Sequence, residues 1–381
     1  MLHLPPLYPI TDATRPESLS AQVRRLGEAG FPLVQFRGKP LDSGTQWKEL
    51  RRTLAEAAAN GGWPLICVND RADLATLAAR EGLPPWGLHL GQGDLPAAQA
   101  RQLPGLGQAH IGASCYKAAD WTSVDAACDH AGVGPFRGTA TKSDLAAPIG
   151  LEGLRAGCTA LLAQGIAPIA IGGLTFADAV ACFEAGAESL AMVGEVHRTE
   201  EPATLGWEAQ RRRWRVRPPF RRGQGLVMVG GSGAGKTTVS RRLAFRLALP
   251  FYDLDEAIEI REGRSVAQIF SESGESTFRD LESVLLPDLL TKPAVVAIGG
   301  GAWESPLNRT AVAAADFAPL WLAVPPARAW ERSGRDPNRP LAQDRAAFMA
   351  RWAARMSAWS LAPMMLPFGH SSEELVSALL D

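Results

Sequence analysis

The stretch LVMVGGSGAGKTT, residues 226–238, constrains this chain more than any other feature. An apolar strand runs into a glycine-rich loop and then into the amphipathic segment VSRRLAFRLAL. Gly230, Gly235, Lys236 and Thr237 fit the spacing G-x-x-x-x-G-K-S/T. Glycines in such a loop let backbone N–H groups wrap phosphate oxygens, the lysine reaches the β and γ oxygens, and the hydroxyl holds Mg²⁺. Gly230, Gly231, Ser232, Gly233, Ala234, Gly235, Lys236, Thr237 and Thr238 are therefore expected to bind a nucleoside triphosphate, read as ATP. Strand, loop and helix in that order imply a parallel α/β domain. The motif does not specify the second substrate.

A single core stops growing at about 250 to 300 residues, and this chain has 381. Two domains are expected. The first 196 residues alternate short apolar runs with amphipathic stretches rich in Ala, Leu, Glu and Arg, the βα rhythm of a parallel sheet. The runs fall at 7–12, 33–38, 64–70, 87–91, 110–115, 130–135, 168–174 and 189–196. Eight strands with helical crossovers point to a (β/α)8 TIM barrel, with an open doubly wound sheet as the alternative. Residues 206–224 are Arg-rich and Pro-containing and read as a linker between a barrel at 1–205 and a P-loop domain at 225–381. Strands of the second domain are expected at 226–229, 250–255, 294–300 and 318–324.

Apolar residues make up 46% of the chain and charged ones 21%, which excludes disordered and fibrous classes. Lys+Arg number 39 against Asp+Glu 40, so the seven arginines between Arg211 and Arg222 read as a solvated helix and linker rather than a nucleic-acid or membrane patch. No apolar run approaches the roughly 18 residues needed to cross a bilayer, and the opening MLHLPPLYPITD lacks a signal pattern. A cytoplasmic protein without membrane or nucleic-acid partners is expected. Cys67, Cys115, Cys128, Cys158 and Cys182 form no CxxC pair and read as buried thiols.

In the second domain, Asp253 and Asp255 stand two apart at the end of an expected strand, which would point both side chains the same way. Downstream lie GESTFRDLE (274–282), GGG (299–301) and RPLA (339–342). On these motifs residues 226–368 resemble shikimate kinase. The resemblance implies Asp253 and Thr237 as Mg²⁺ ligands, Asp255 as the group that activates a shikimate hydroxyl, and Arg279, oriented by Glu282, as the partner of the shikimate carboxylate. It further implies that Gly300 brings backbone N–H to the substrate, that Arg339 stabilises the transferring phosphoryl group, and that Arg355 is a second carboxylate-binding arginine. Two positions depart from the family pattern: the lid motif ends in Ala342 and the aromatic after Arg355 is Trp359.

In the first domain the strand ends supply Gln35, Arg37, Lys39, Asn69, Asp70, Asp94, Ser114, Thr139, Thr141 and Lys142. Two carboxylates with several cations suit a diphosphate bridged by Mg²⁺. The glycines of IGG (171–173) and MVG (192–194) follow the last two strands, where barrels bind phosphate through backbone N–H groups. The motifs VQFRGK, VNDR, GLHLGQGD, GPFRGTATK and AIGG make residues 7–196 resemble thiamine-phosphate synthase. That family joins hydroxymethylpyrimidine diphosphate to thiazole phosphate. The resemblance implies Asp70 and Asp94 as Mg²⁺ ligands, Arg37, Lys39 and Lys142 on the diphosphate, and Gln35, Asn69 and Ser114 on the pyrimidine. Thr139, Thr141, Gly173, Val193 and Gly194 would cradle the thiazole phosphate, with Gly194 standing where the family often has Ser. Asp70 has a second reading as the N-cap of the following helix, and His89 reads as an interior barrel residue.

The expectation is a bifunctional transferase with one Mg²⁺ site in each domain and ATP as a co-substrate. Its small-molecule substrates would be shikimate, ATP, hydroxymethylpyrimidine diphosphate and thiazole phosphate. Alternatives are a P-loop half that senses a small acid or phosphorylates a different one, and a barrel half that acts as a thiazole tautomerase. Oligomeric state is open.

Overall fold

A computed structural model describes residues 3–138, 147–334 and 344–381. The chain divides into two compact units, Met1–Arg217 and Pro218–Asp381. The expected sites Thr139, Thr141, Lys142 and Arg339 lie outside the described residues.

Among the described residues the first unit carries eight strands: β1 (Leu7–Pro9), β2 (Leu33–Phe36), β3 (Leu65–Asn69), β4 (Gly87–Leu90), β5 (His110–Cys115), β6 (His130–Val133), β7 (Ala167–Ile171) and β8 (Ser189–Met192). All pair in parallel in the order β1-β8-β7-β6-β5-β4-β3-β2. The gap between β1 and β2 is bridged where Ile10 pairs with Gln35 and Thr11 N donates to Gln35 O at 2.9 Å. The open-sheet alternative is thereby set aside in favour of the barrel. Except for β5, which fills its run, each strand is shorter than its apolar run because the polar residues ending the run enter the βα loops, the face on which barrel enzymes build their sites.

The first two helices between strands start where the sequence supplies a cap. Ser18 accepts from Ala21 N ahead of Leu19–Glu28, and Asp42 accepts from Thr45 N ahead of Ser43–Ala59. Asp70 is not such a cap: helix Ala72–Arg80 begins after Arg71, with no side-chain cap. All five cysteines are buried, and burial pushes the thiols of Cys67, Cys115, Cys128, Cys158 and Cys182 up to about 12.

The linker expectation needs correcting over its first half. Helix Pro202–Val216 runs through it, and its arginines are not simply solvated. Arg213 donates to Leu4 O at 2.6 Å and Glu188 O at 3.1 Å, and Arg217 pairs with the Glu188 carboxylate at 2.6 Å. Leu4 and Glu188 precede β1 and β8, so these side chains satisfy carbonyls at the barrel face opposite the βα loops. Burial lowers the Arg213 guanidinium to about 10, with Glu188 opposing, which still leaves it charged at pH 7.

The described residues of the second unit form five parallel strands: β9 (Leu226–Val229), β10 (Phe251–Asp253), β11 (Val295–Ala297), β12 (Ala318–Leu322) and β13 (Met364–Met365), in the order β10-β11-β9-β12-β13. The short β13 was not expected. It forms by pairing Trp321 with Met364 and Leu322 with Met365, a tertiary contact without local signature. Strand β9 lies in the middle of this order and is fully buried, which puts the phosphate loop at the carboxyl end of a central strand. No helix among the described residues is long and apolar enough to cross a membrane.

Candidate functional site

In the second unit the loop after β9 folds as its glycines require. Gly230, Gly233 and Gly235 have φ of +138°, +79° and +98°, conformations that side-chain-bearing residues rarely adopt. Helix Lys236–Leu247 starts directly behind them, aiming its first N–H groups into the loop. Lys236 Nζ donates to Gly231 O at 3.1 Å, and Thr237 Oγ1 donates to Asp253 Oδ2 at 2.9 Å. The two expected metal ligands thus already touch.

Asp253 and Asp255 come together for a different reason from the one expected. Asp253 ends β10 and caps helix Leu254–Glu262 by accepting from Asp255 N at 3.2 Å, so Asp255 lies in a first helical turn rather than on a strand. Burial raises the Asp255 carboxyl above its ordinary range, Asp253 adds to the rise, and Lys236 and Arg279 oppose it. Its Oδ1 is buried and has no hydrogen-bond partner among the described residues, an acceptor held ready for a ligand.

Helix Val266–Leu289 is broken at Gly274, whose φ is +83°, and this turn redirects the GESTFRDLE segment. Arg279 Nη1 donates to the buried Glu282 Oε2 at 2.7 Å, as expected. Its Nη2 reaches Glu275 Oε1 at 2.6 Å, and Arg355 Nη2 reaches the same oxygen at 3.4 Å. Glu275 was overlooked at the sequence level, although it sits inside the quoted motif four residues before Arg279. Arg355 also donates to Glu304 at 2.7 Å, and Trp359 Nε1 donates to Gly300 O at 2.8 Å. A Cβ on Gly299 would lie 3.1 Å from Asp255 Oδ1, and one on Gly300 3.7 Å from Arg355 Nη1. The glycine run therefore lies among Asp255, Glu282, Arg279 and Arg355, and backbone fills what side chains would block.

In the barrel unit Asp70 follows β3 with φ of +62°, an uncommon conformation for a residue other than glycine, held by its N–H donating to His89 O at 2.8 Å. Lys39 Nζ lies 2.6 Å from Asp70 Oδ2. Asp94 accepts from Gly91 N at 2.7 Å. A Cβ on Gly91 would stand 3.1 Å from Asp94 Oδ2 and 3.8 Å from Asp70 Oδ1, so both carboxylates border one small space. Burial works against ionisation of Asp70, but Lys39 outweighs it and holds the carboxyl below its ordinary range. Burial and then the charge of Asp70 raise Asp94 despite the Gly91 N–H. Two carboxylates and a lysine amine form a hard oxygen donor set with a charge partner, which fits Mg²⁺ and an oxyanion; Thr237 with Asp253 fits Mg²⁺ on the same grounds.

The remaining described barrel residues lie on or just after other strands of the same sheet. Thr11 Oγ1 donates to Arg37 O at 3.1 Å and accepts from Arg37 N at 2.8 Å, fixing the backbone after β2. Gln35 is buried in β2, and Asn69 ends β3 in register with His89. Ser114 Oγ meets His89 Nε2 at 3.1 Å, and His89 is interior as expected, 5% exposed. Gly173 follows β7 with φ of +66°, and Val193 and Gly194 open the short helix Gly194–Arg198 after β8.

Fold and sites together define an enzyme of the transferase class with two separate heads: a parallel barrel with a carboxylate and cation site, and a P-loop unit of kinase type. Residues 7–196 match the thiamine monophosphate synthase family and residues 232–365 the shikimate kinase family. The barrel segment is 38% identical to thiamine-phosphate synthase of Chloroflexus aurantiacus over 50% of this chain and 84% of that protein. The second segment is 45% identical to shikimate kinase of Aromatoleum aromaticum, over 31% of this chain and 67% of that protein. It is 37% identical to shikimate kinase of Ruegeria pomeroyi, over 41% of this chain and 82% of that protein. The chain belongs to both families, one in each unit.

Proposed function

We propose that the barrel unit joins hydroxymethylpyrimidine diphosphate to thiazole phosphate, giving thiamine phosphate and pyrophosphate, and that the second unit transfers the γ-phosphoryl group of ATP to the 3-hydroxyl of shikimate. The observation that carries this reading is that each unit assembles, at the carboxyl ends of its strands, the charged set its own family's reaction needs: Lys39, Asp70 and Asp94 in one, Lys236, Asp255 and Arg279 in the other.

In the barrel, Arg37, Lys39 and Lys142 contact the diphosphate, and Gln35, Asn69 and Ser114 hold the pyrimidine. Thr139, Thr141, Gly173, Val193 and Gly194 hold the thiazole phosphate. The bond from the pyrimidine methylene carbon to the diphosphate breaks with its electrons leaving on pyrophosphate, and the thiazole nitrogen lone pair forms the new carbon–nitrogen bond. The chain's main task is to hold the departing charge, because cations preorganised around it cost no reorganisation as the bond breaks. Lys39 exchanges Asp70 for the diphosphate when substrate enters. Asp70 and Asp94 would hold Mg²⁺, which supplies Lewis-acid neutralisation of that charge.

In the kinase unit, Gly230 to Thr238 wrap the ATP phosphates and Lys236 lies against their β and γ oxygens. Thr237 and Asp253 would hold the metal. Arg279 and Arg355 take the shikimate carboxylate, with Glu275 giving up its place on both, and Gly300 lines the substrate. Asp255 accepts the proton of the attacking hydroxyl as the phosphorus–oxygen bond to ADP breaks. Its raised carboxyl suits proton acceptance near neutral pH better than an ordinary aspartate. Arg339 stabilises the transferring group.

The test is product formation by the full chain: pyrophosphate that requires both thiamine precursors, and ADP that requires shikimate. Isomerisation of a thiazole without pyrophosphate, or nucleotide binding without shikimate-dependent turnover, would replace the respective half of the reading.

A further inference from the structure

Two histidines of the barrel wall form a hydrogen-bonded line that the mechanism above does not use. His130 opens β6 and His89 lies in β4, both buried. Gly112 makes room for the His130 ring, and Gly132 lies in ordinary contact with the His89 ring. Gly112 is in register with His130, and a Cβ on it would lie 2.5 Å from His130 Cδ2. A Cβ on Gly132 would lie 3.6 Å from His89 Cε1. His130 Nε2 stands 3.4 Å from His89 Nδ1, and His89 Nε2 stands 3.1 Å from Ser114 Oγ, the far end of the line.

We propose that His130 is a positioning residue for the barrel reaction: acting through His89, it turns the Ser114 hydroxyl to donate to a ring nitrogen of the pyrimidine substrate. The inference rests on the transferase reading of the barrel and adds to it the polarity of one hydrogen bond.

The direction follows from where the line begins. His130 Nδ1 is buried and has no hydrogen-bond partner among the described residues. Burial pushes the His130 imidazole well below its ordinary value, and His89 and His110 push it the same way against Asp129, so the ring is neutral at pH 7. A neutral imidazole has one proton for two nitrogens. A buried N–H without an acceptor is the rarer orphan, so the proton belongs on Nε2, which donates to His89 Nδ1. A neutral His89 that accepts on Nδ1 carries its own proton on Nε2 and donates it to Ser114 Oγ. The Ser114 oxygen thus accepts from the barrel wall, and its O–H is left to donate to the ligand. Reversed polarity would leave Ser114 only lone pairs, suited to an amino group instead.

The test uses the full chain, with His130→Phe, which keeps a ring but no N–H, and His130→Gln, whose amide N–H reaches to where Nε2 stood. Steady-state kinetics on both thiamine precursors are paired with nitrogen-15 spectra of the imidazoles, which read the protonated nitrogen directly. For His130→Phe the KM for the pyrimidine diphosphate is expected to rise about tenfold with the KM for thiazole phosphate within about twofold, the effect of one lost or inverted hydrogen bond. His130→Gln is expected to restore most of that loss, and the unaltered chain to carry the His130 proton on Nε2. A His130 proton on Nδ1, an unchanged pyrimidine KM in His130→Phe, or both KM values rising together in both variants would overturn the proposal. An unaltered chain that makes no thiamine phosphate would instead overturn the transferase reading, and this assignment of the hydroxyl with it.

Discussion

Arg279 occupies the space that a side chain on Gly301 would need: a Cβ built there lies 2.5 Å from the guanidinium carbon. Gly301→Ala must therefore displace the guanidinium from Glu282 or push the glycine run outward, at a cost of about 1–3 kcal/mol. The expected outcome is a KM for shikimate raised about tenfold, with the KM for ATP little changed. Initial rates with shikimate and MgATP varied in turn, the other saturating, check it.

Arg279→Lys keeps the charge and loses the fork. A lysine cannot meet Glu282, now at 2.7 Å, and Glu275, now at 2.6 Å, and also grip a carboxylate through two parallel bonds. A loss of about 100-fold in kcat/KM for shikimate is expected, on the order of one charge-assisted hydrogen bond. Equal efficiency in the lysine variant would assign the carboxylate to Arg355 alone.

The arginine at the other face of the barrel should act on stability and not on chemistry. Arg213→Met leaves Leu4 O and Glu188 O without their donor, at a cost of about 2–3 kcal/mol. Chemical denaturation should register that loss, while the KM for both thiamine precursors stays as it was. A shifted KM would tie the lower face to the site.

Glu282 makes the kinase unit sensitive to pH in a defined direction. Burial raises its carboxyl to about 7, with Arg279 opposing, from an ordinary value of about 4.3 when unfolded. Between those values the folded chain holds the proton that the unfolded chain has released, so this group's contribution to stability is full below about pH 4 and is lost as pH rises to about 7. Glu282→Gln removes that slope. Between about pH 4 and pH 7 the denaturation midpoint of the unaltered chain should fall relative to that of Glu282→Gln, and above about pH 7 the two should run parallel.

What could be read from the residues was what is local in the chain. The P-loop is contiguous, and the eight runs of the barrel each announce a strand by apolar content alone. Asp255 was read with a strand period, whereas helix Leu254–Glu262 begins one residue before it. Strand Met364–Met365 exists only through its pairing with Trp321 and Leu322. Arg213 looked like a solvated charge because its acceptor Leu4 lies at the other end of the unit. The grip of Glu275 on two arginines and the line from His130 to Ser114 likewise depend on contacts between distant segments.

The central claim, two independent transferase sites in one chain, is tested most directly by crossing two substitutions with two assays. Asp94→Ala and Asp255→Ala are each measured for pyrophosphate release from the thiamine precursors and for shikimate-dependent ADP release. The account predicts that Asp94→Ala loses only the first activity and Asp255→Ala only the second. Retention of both activities in either variant, or loss of both together in each, would contradict it.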